Sequence, residues 1–280
     1  MTTEPLIPSF IGAPVQRRED PALITGTADY LDDLTPSGTV HLAIVRSPYA
    51  HARVLSVDIE AALESKGVLL VITPDQVSDV VMPPTPNPDR NIPRRFPLVQ
   101  GTVLMPGDPV AAVVAETAAL AKDGADLVFV DYDPLPVVGD VDDAMEAPPL
   151  HDGQASNVAY DRTRGDRAQF DAIEGEIRLS GLVDHPRVAP VPMEPRGVLA
   201  EWKDGGLVVH LSNQAPHLMQ EELARSFQIP VSSVKVMTNF VGGGFGGKFD
   251  LAEEEMLVAF AARRFGRPVK WVEGRREHLQ

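Results

Sequence analysis

The chain has 280 residues, of which 44% are hydrophobic and 23% charged, and this composition is typical of a globular protein with one large core or two modest ones. Its 25 Lys and Arg stand against 40 Asp and Glu, giving a formal net charge of −15 that disfavours nucleic acid as a partner. There is no cysteine, which excludes disulfides, thiolate metal sites and iron–sulfur ligation within the chain. The first residues do not resemble a secretion signal and no apolar run is long enough for a membrane span, so we expect a cytoplasmic protein.

The first half of the chain alternates between predicted strands and helices. The pattern predicts strands at 40–46, 68–73, 109–116 and 127–132 and helices at 58–65 and 117–126. This order indicates an α/β (α+β) fold with crossover connections. The stretch 136–157 is rich in Pro, Asp and Ala without a clear period, which is typical of a surface connection. We therefore predict one domain at 1–135, a connecting segment at 136–157 and a second domain at 158–280.

The second half carries predicted strands at 177–183, 197–202, 207–211 and 234–237 and helices at 217–227 and 251–265. An Asp-Gly-Gly turn at 204–206 indicates a hairpin. The last helix begins with three acidic residues and ends with two arginines before Gly266, a charge order that complements the helix dipole. Consecutive helix positions point in different directions, so we predict that Glu253, Glu254 and Glu255 form a solvated first turn rather than a divalent-cation site.

The most informative segment is the glycine-rich run 241–248, VGGGFGGK, between a predicted strand and a predicted helix. Five glycines in six residues permit positive φ and let backbone N–H groups approach a ligand closely. A nucleoside triphosphate is one candidate ligand, but Phe249 stands where a P-loop needs Ser or Thr to bind Mg²⁺. A dinucleotide is another, but the βαβ unit is cut short and Glu273 is a poor match for the required acidic residue. A pterin cofactor is the third.

The third candidate is supported by a resemblance that extends from about residue 11 to the last residue. The run GGGFGGK at 242–248 is similar to a loop of molybdenum hydroxylase large subunits, and other blocks of that family occur in the same order. These blocks are RSPYAHA at 46–52, GDPVA at 107–111, VDYDPLP at 130–136, PMEPRG at 192–197 and SNQAPH at 212–217. The chain thus resembles the amino-terminal part of the molybdopterin-binding large subunit in the xanthine dehydrogenase/aldehyde oxidase family, as in carbon monoxide dehydrogenase large subunits.

The resemblance implies a fold, a cofactor and partners. It implies an aldehyde oxidase/xanthine dehydrogenase a/b hammerhead domain, followed by an incomplete first part of the molybdenum cofactor-binding domain. Family members oxidise an aldehyde, an N-heterocycle or carbon monoxide with water as the oxygen source and pass electrons to Fe–S and FAD partners. The implied cofactor is molybdenum-molybdopterin, in its cytosine dinucleotide form in a bacterium. The implied partners are the remaining part of the subunit, an Fe–S small subunit and an FAD medium subunit, and we expect this chain alone to be inactive.

The resemblance also assigns site residues. Gln214 matches the family glutamine whose amide approaches an oxygen ligand of molybdenum, and we take it as the catalytic residue. Phe245 matches the loop position whose backbone lies beside the metal, so Gln214 and Phe245 are expected next to molybdenum without ligating it. The cofactor-binding set is the loop itself, namely Gly243, Gly244, Phe245, Gly246 and Gly247.

Two residues outside this set affect the interpretation. Phe249 replaces the carboxylate that follows the loop lysine in purine-oxidising members, which favours an aldehyde, a simpler heterocycle or carbon monoxide over xanthine. Glu194 is adjacent to Pro195 and near Arg196, and we predict an ion pair between Glu194 and Arg196 that fixes a bend rather than a general base. The alternative function is a non-catalytic docking module for electron-transfer subunits, which would not need so many glycines around Phe245.

Overall fold

The computed structural model describes residues 11–83, 95–173, 175, 177 and 179–279. Within these ranges the chain forms ten β-strands and eight α-helices. The strands are β1 (Val40–Arg46), β2 (Ala52–Asp58), β3 (Val68–Ile72), β4 (Thr102–Val103), β5 (Pro109–Ala115), β6 (Phe129–Pro134), β7 (Gly197–Lys203), β8 (Gly206–Leu211), β9 (Val234–Met237) and β10 (Val269–Val272). The helices are α1 (Asp20–Thr25), α2 (Glu60–Glu64), α3 (Ala118–Ala125), α4 (Val141–Glu146), α5 (Arg167–Asp171), α6 (Pro216–Ser226), α7 (Glu253–Phe265) and α8 (Arg275–His278).

One seven-stranded sheet runs through both halves of the chain in the order β3-β5-β1-β10-β7-β8-β9, and a three-stranded sheet has the order β4-β2-β6. In the large sheet, β1 pairs antiparallel with β5 on one side and parallel with β10 on the other, where Val40 lies opposite Val269. This pairing of β1 with β10 joins the early and late parts of the chain in a single sheet. No helix in the described ranges is long and apolar enough to cross a membrane.

The crossover connections predicted for the first half are present only in part. β1 and β3 run in the same direction, but β5 lies between them and pairs antiparallel with both. After α3 the chain leaves this sheet, because β6 pairs with β2 in the small one. The helix predicted at 58–65 is shorter, since β2 extends to Asp58 and α2 covers only Glu60–Glu64. β2 was not predicted because only Ala52 in it is fully buried, which leaves no clear apolar alternation.

The other predicted elements agree with the structure within two residues, with one exception. The hairpin turn is confirmed, since Asp204 and Gly205 both have positive φ, 52° and 77°, as a type I′ turn requires. The strand predicted at 177–183 is wrong, because the described residues of that stretch form none. Leu179 and Leu182 there are 94% and 97% exposed. An apolar segment becomes a strand only beside a partner that pairs with its backbone, and none of the ten strands does so.

Helices cover both faces of the large sheet. On one face, Ala112 and Val114 of β5 belong to the main core together with apolar residues of α6 and α7. On the other face, Val113 packs in a smaller cluster with Ala62 and Val71. Each fully buried valine side chain in these clusters stabilises the fold by about 1.5–3 kcal/mol. Because α7 is held against the sheet in this way, the loop between β9 and α7 has a fixed position at each end.

Candidate active site

The glycine loop, residues 242–248, connects the end of β9 to the segment before α7. Three of its residues have positive φ: Gly243 at 95°, Phe245 at 51° and Gly246 at 90°. Such values are uncommon for a side chain as large as phenylalanine, so neighbouring contacts must hold the loop in this form. The Phe245 side chain is 76% exposed and points out of the core. The loop therefore exposes Phe245 and Gly246 at its tip, whereas Gly244 is buried beneath them.

Gln214 lies directly under the loop. Its side-chain Oε1 accepts hydrogen bonds from the backbone N–H of Gly246 (3.1 Å) and of Lys248 (3.3 Å). Its own backbone N–H donates to the Lys248 carbonyl at 2.8 Å. A Cβ atom on Gly244 would lie 2.4 Å from Oε1, so only glycine fits above this side chain. The carbonyl of Gln214 is thus used by the loop, while its amide nitrogen donates to no residue that the structure describes.

A buried ion pair lies beside Gln214. The Nζ of Lys248 is 3.1 Å from Glu194 Oε2 and donates to Ser212 Oγ at 2.7 Å, and the lysine side chain is 1% exposed. Burial lowers the pKa of Lys248, and the Glu194 carboxylate acts against that shift. The predicted Glu194–Arg196 pair is wrong. A desolvated ammonium needs a carboxylate, and Glu194 fills that role for Lys248.

This position of Lys248 also excludes the nucleotide alternatives. A P-loop lysine must reach the phosphates of its ligand, whereas the Lys248 ammonium is enclosed with Glu194 and Ser212. A dinucleotide fingerprint needs the glycine run to open the helix directly, but α7 begins only at Glu253.

A second charged network lies at the start of α7. The Glu254 carboxylate forms salt bridges with Arg46 at 2.7 Å and with Arg196 at 3.1 Å. Arg196 also forms a salt bridge with Glu273 at 2.9 Å. Burial alone would raise the pKa of Glu254, but the two guanidinium groups lower it to about 2. Arg46 belongs to β1 and Arg196 directly precedes β7. The network therefore fixes the beginning of α7 to two strands of the large sheet.

The predicted solvated first turn of α7 is wrong for two of its three glutamates. Glu254 and Glu255 are buried, whereas Glu253 lies nearer the surface and pairs with Arg95. Glu255 Oε2 accepts from the backbone N–H of Ala252 at 2.9 Å and so caps the helix. Burial raises the pKa of Glu255 to about 7, and the neighbouring Glu254 carboxylate adds to that shift.

The outer side of the loop is held by residues near the end of the described chain. His278 contacts Glu273 Oε2 through Nδ1 at 2.8 Å and the Pro190 carbonyl through Nε2 at 2.5 Å. A Cβ atom on Gly247 would lie 2.9 Å from Pro190 Cγ, so the proline ring packs closely on the loop. No pattern in the sequence indicates a role for His278, whereas Ser212 and Lys248 lie inside the motif blocks and were missed as functional residues.

The structure brings all the predicted site residues together. At each glycine of the set, a different feature of the geometry requires or favours a residue without a side chain. Gly244 and Gly247 are required by close packing, and Gly243 and Gly246 have positive φ. None of the described residues accepts a hydrogen bond from the N–H of Gly243, Gly244 or Phe245. A Cβ at Gly246 would meet nothing within 4 Å.

These features fit a ligand that is rich in hydrogen-bond acceptors. Successive backbone N–H groups in a turn of alternating φ form a concave donor site for oxygen and nitrogen atoms, as a pterin or its phosphate provides. The described ranges contain no group of three or more His, Cys, Asp or Glu residues arranged to hold a metal ion.

Comparisons with known proteins identify the family to which the two halves of the chain are similar. A family model described as "Aldehyde oxidase and xanthine dehydrogenase, a/b hammerhead domain" matches residues 25–136, and one described as "Molybdopterin cofactor-binding domain" matches residues 150–280. The chain is 36% identical to the nicotine 6-hydroxylase large subunit of Paenarthrobacter nicotinovorans, over 98% of this chain and 35% of that protein. It is 32% identical to the carbon monoxide dehydrogenase large chain of Hydrogenophaga pseudoflava, over 94% of this chain and 35% of that one.

The fold is shared with solved structures as well. Quinoline 2-oxidoreductase from Pseudomonas putida 86 superposes with a TM-score of 0.85 and 35% sequence identity, covering 95% of this chain and 35% of that one. The chain thus spans about a third of the length of the relatives that it matches. Since two family models cover most of its residues in the family's order, the chain belongs to the aldehyde oxidase and xanthine dehydrogenase family of molybdopterin-binding proteins.

Proposed function

We propose that this chain supplies the glycine-loop side of the cofactor site in a molybdenum hydroxylase that oxidises an aldehyde, an N-heterocycle or carbon monoxide with water as the oxygen source. The observation that carries the proposal is the row of backbone N–H groups at Gly243, Gly244 and Phe245, which have no acceptor among the described residues. When bound, molybdenum-molybdopterin supplies the redox chemistry of that reaction.

The residues of this chain have separate tasks in the proposal. The three N–H groups would donate to the cofactor, and Gly246, where a Cβ atom would meet nothing within 4 Å, would leave room for it, while Gly247 lets Pro190 pack against the loop. Gln214 keeps the loop in shape through Oε1 and directs its unused amide nitrogen toward the surroundings of the metal, where it can act as a donor. Phe245 exposes its ring beside the same turn and contributes one wall of the site.

The substrate class is inferred from one residue and from the relatives. Phe249 is 50% exposed directly after the loop and cannot form hydrogen bonds with a purine ring. Nicotine and quinoline, which the names of two similar proteins contain, are N-heterocycles with fewer polar groups than xanthine. We therefore place a simple N-heterocycle first among the substrates, ahead of an aldehyde and carbon monoxide.

The proposed assembly has several chains. The chain covers about a third of proteins that are called a large subunit and a large chain, so the remaining part of such a subunit is the first partner. A chain without cysteine cannot ligate an iron–sulfur cluster through thiolates, which supports an Fe–S small subunit and, by the same resemblance, an FAD medium subunit. If the enzyme is bacterial, the proposed cofactor is the cytosine dinucleotide form of molybdenum-molybdopterin.

The test compares the assembled enzyme with this chain alone. Molybdenum is measured by mass spectrometry, and turnover is measured as dye reduction with quinoline, an aldehyde or carbon monoxide. We expect about one molybdenum per assembled enzyme, and little metal and no turnover in the isolated chain. Stoichiometric molybdenum with turnover in the isolated chain would contradict the division of the site between segments. An assembled complex that forms without molybdenum would instead support the docking-module alternative.

A matched pair of variants tests the loop itself. Gly244→Ala places a Cβ 2.4 Å from Gln214 Oε1, and Gly206→Ala places one 2.6 Å from the Ser233 carbonyl oxygen in the remote hairpin. Both changes create a clash of similar size, but only the first lies in the proposed site. We expect Gly244→Ala to lose molybdenum and Gly206→Ala to keep it. Equal metal content in the two variants would show that the loop does not hold the cofactor.

A further inference from the structure

A single carboxylate oxygen connects the two ends of the glycine loop. Glu194 Oε2 accepts from the backbone N–H of Gly242 at 2.8 Å, from Ser212 Oγ at 2.5 Å and from Lys248 Nζ at 3.1 Å. The Glu194 backbone N–H also donates to the Gly242 carbonyl at 3.2 Å. Gly242 is the first residue of the loop and Lys248 is the last. The Glu194 side chain therefore binds both ends at once.

The lysine makes this connection sensitive to charge. Its ammonium is 1% exposed and lies within hydrogen-bond distance of only two described side chains, Glu194 and Ser212. When one member of a buried ion pair is removed, the other is left as an uncompensated charge in a medium that solvates it poorly. Loss of the Lys248 charge would thus drive Glu194 toward water and away from Gly242.

The other contacts that fix the loop lie mainly in its second half, where the Gln214 backbone N–H also donates to the Lys248 carbonyl at 2.8 Å. The N–H of Gly247 is bonded within the loop, to the Gly244 carbonyl at 2.9 Å. Gln214 supports the second half through Gly246 and Lys248. The first half, which contains the unpaired N–H groups, depends on the contact between Gly242 and Glu194.

We infer that Glu194, Lys248 and Ser212 are positioning residues that act from beneath the glycine loop, fixing both of its ends and thereby aiming the N–H groups of its exposed turn at the cofactor. The inference rests on the proposed function only in naming the molybdenum cofactor as the ligand. Neither Glu194 nor Lys248 touches that ligand in this arrangement. The lysine serves the loop as an internal counterion rather than as a phosphate-binding residue.

The experiment uses the complete enzyme and three variants. Lys248→Met removes the ammonium but keeps an apolar side chain of similar length, and Lys248→Met with Glu194→Gln removes both charges together. Lys270→Met is the matched control, because Lys270 is also buried, with 3% of its side chain exposed, and it contacts Asp32 and no residue of the loop. Amide hydrogen exchange of the peptide containing residues 242–248 is compared with that of β7, and molybdenum content is measured in parallel.

We expect Lys248→Met to speed exchange of the loop peptide on the order of tenfold while β7 keeps its protection, and to lower the molybdenum content. The double variant should recover part of both, because the neutral amide that Glu194→Gln introduces still accepts from the Gly242 N–H. Lys270→Met should lower overall stability but leave loop exchange and metal unchanged. If Lys248→Met and Lys270→Met behave alike in the loop, the positioning role is refuted.

Two further outcomes keep the inference separate from the proposed function. A wild-type enzyme without molybdenum would contradict the proposed function, and the exchange of the loop peptide would still decide whether the ion pair shapes the loop. If Lys248→Met does not fold, Ser212→Ala takes its place, since it removes one hydrogen bond from Lys248 without stranding a charge. Unchanged loop exchange in Ser212→Ala would then count against the inference.

Discussion

Glu255 makes the stability of this chain depend on pH in a direction that is unusual for a carboxylate. Its side chain is buried at the start of α7, where burial raises its pKa from 4.5 to about 7. The folded state therefore holds a proton between these two pH values, whereas the unfolded chain has released it. Stability is fully present below about pH 4.5 and falls as the pH rises toward 7. We expect Glu255→Gln, which stays neutral at every pH, to abolish this loss.

The size of the pH-dependent change in stability follows from the pKa shift of Glu255. A difference of one pKa unit corresponds to about 1.4 kcal/mol, so a rise from 4.5 to about 7 corresponds to about 3 kcal/mol in the free energy of unfolding. Gln keeps an oxygen that can accept from the Ala252 N–H, so the helix cap is retained in the variant. Between about pH 5 and about pH 8, Glu255→Gln should therefore gain about 3 kcal/mol relative to the unmodified chain.

The assay is urea unfolding at a series of pH values, followed by tryptophan fluorescence. Trp202 is a suitable reporter because its Nε1 donates to the Ala259 carbonyl in α7 at 2.8 Å. Glu254→Gln is the control, because the pKa of Glu254 is shifted in the opposite direction and its effect on stability changes with pH in the opposite sense. Arg46 and Arg196 lower the Glu254 pKa to about 2, so its contribution is complete above about pH 4.5 and is lost as the pH falls toward 2. A stability difference between Glu255→Gln and the unmodified chain that stays constant with pH would refute the reasoning.

Three other changes have defined outcomes. Gln214→Ala removes the amide donor proposed to act near the metal and should lower turnover of the assembled enzyme on the order of 100-fold. Molybdenum should be largely retained because the Glu194 contact to Gly242 remains, and unchanged turnover at full metal content would show that Gln214 is assigned wrongly. Gly246→Val should reduce molybdenum content more than it reduces the melting temperature, because its φ is 90° and a branched side chain would occupy the open face of the loop. Arg46→Met should lower the free energy of unfolding in urea by about 1.5–3 kcal/mol, because Glu254 loses one charge-assisted hydrogen bond but keeps its ion pair with Arg196. A loss below about 0.5 kcal/mol would show that the Arg46–Glu254 contact does not stabilise the fold.

The local sequence pattern was sufficient to predict most of the helices and strands. The apolar run of β5, the hairpin turn at Asp204 and the dipole-complementing charges of α7 each act through neighbours in sequence, so the prediction and the structure agree. The failures include four short helices, α1, α4, α5 and α8, and strands that depend on distant partners. β2 has too little buried surface to be recognised by itself, and the segment 177–183 has a strand-like sequence but lies beside no described strand.

The same distinction holds for the site. The glycine loop and Gln214 were predicted together, and the structure places them in direct contact. The charged residues were not predicted correctly, because the sequence shows which charges exist but not which of them become neighbours when remote segments pack. Glu194 lies two positions before Arg196 and yet pairs with Lys248, while Arg196 pairs with Glu254. Burial decides these pairings, since each desolvated charge requires a counterion within reach.

The pairing of β1 with β10 has a consequence for how the chain folds during synthesis. Val40 leaves the ribosome well before its neighbour Val269, which follows only after all of the other described strands have been made. Until then the β1 edge of the nascent sheet is open, with unpaired backbone groups that can pair with another chain. A contact between segments so far apart in sequence also slows folding, because a long loop must close before it forms. Pairing with β10 removes this open edge, so the late strand protects the early part of the sheet from contacts with other chains.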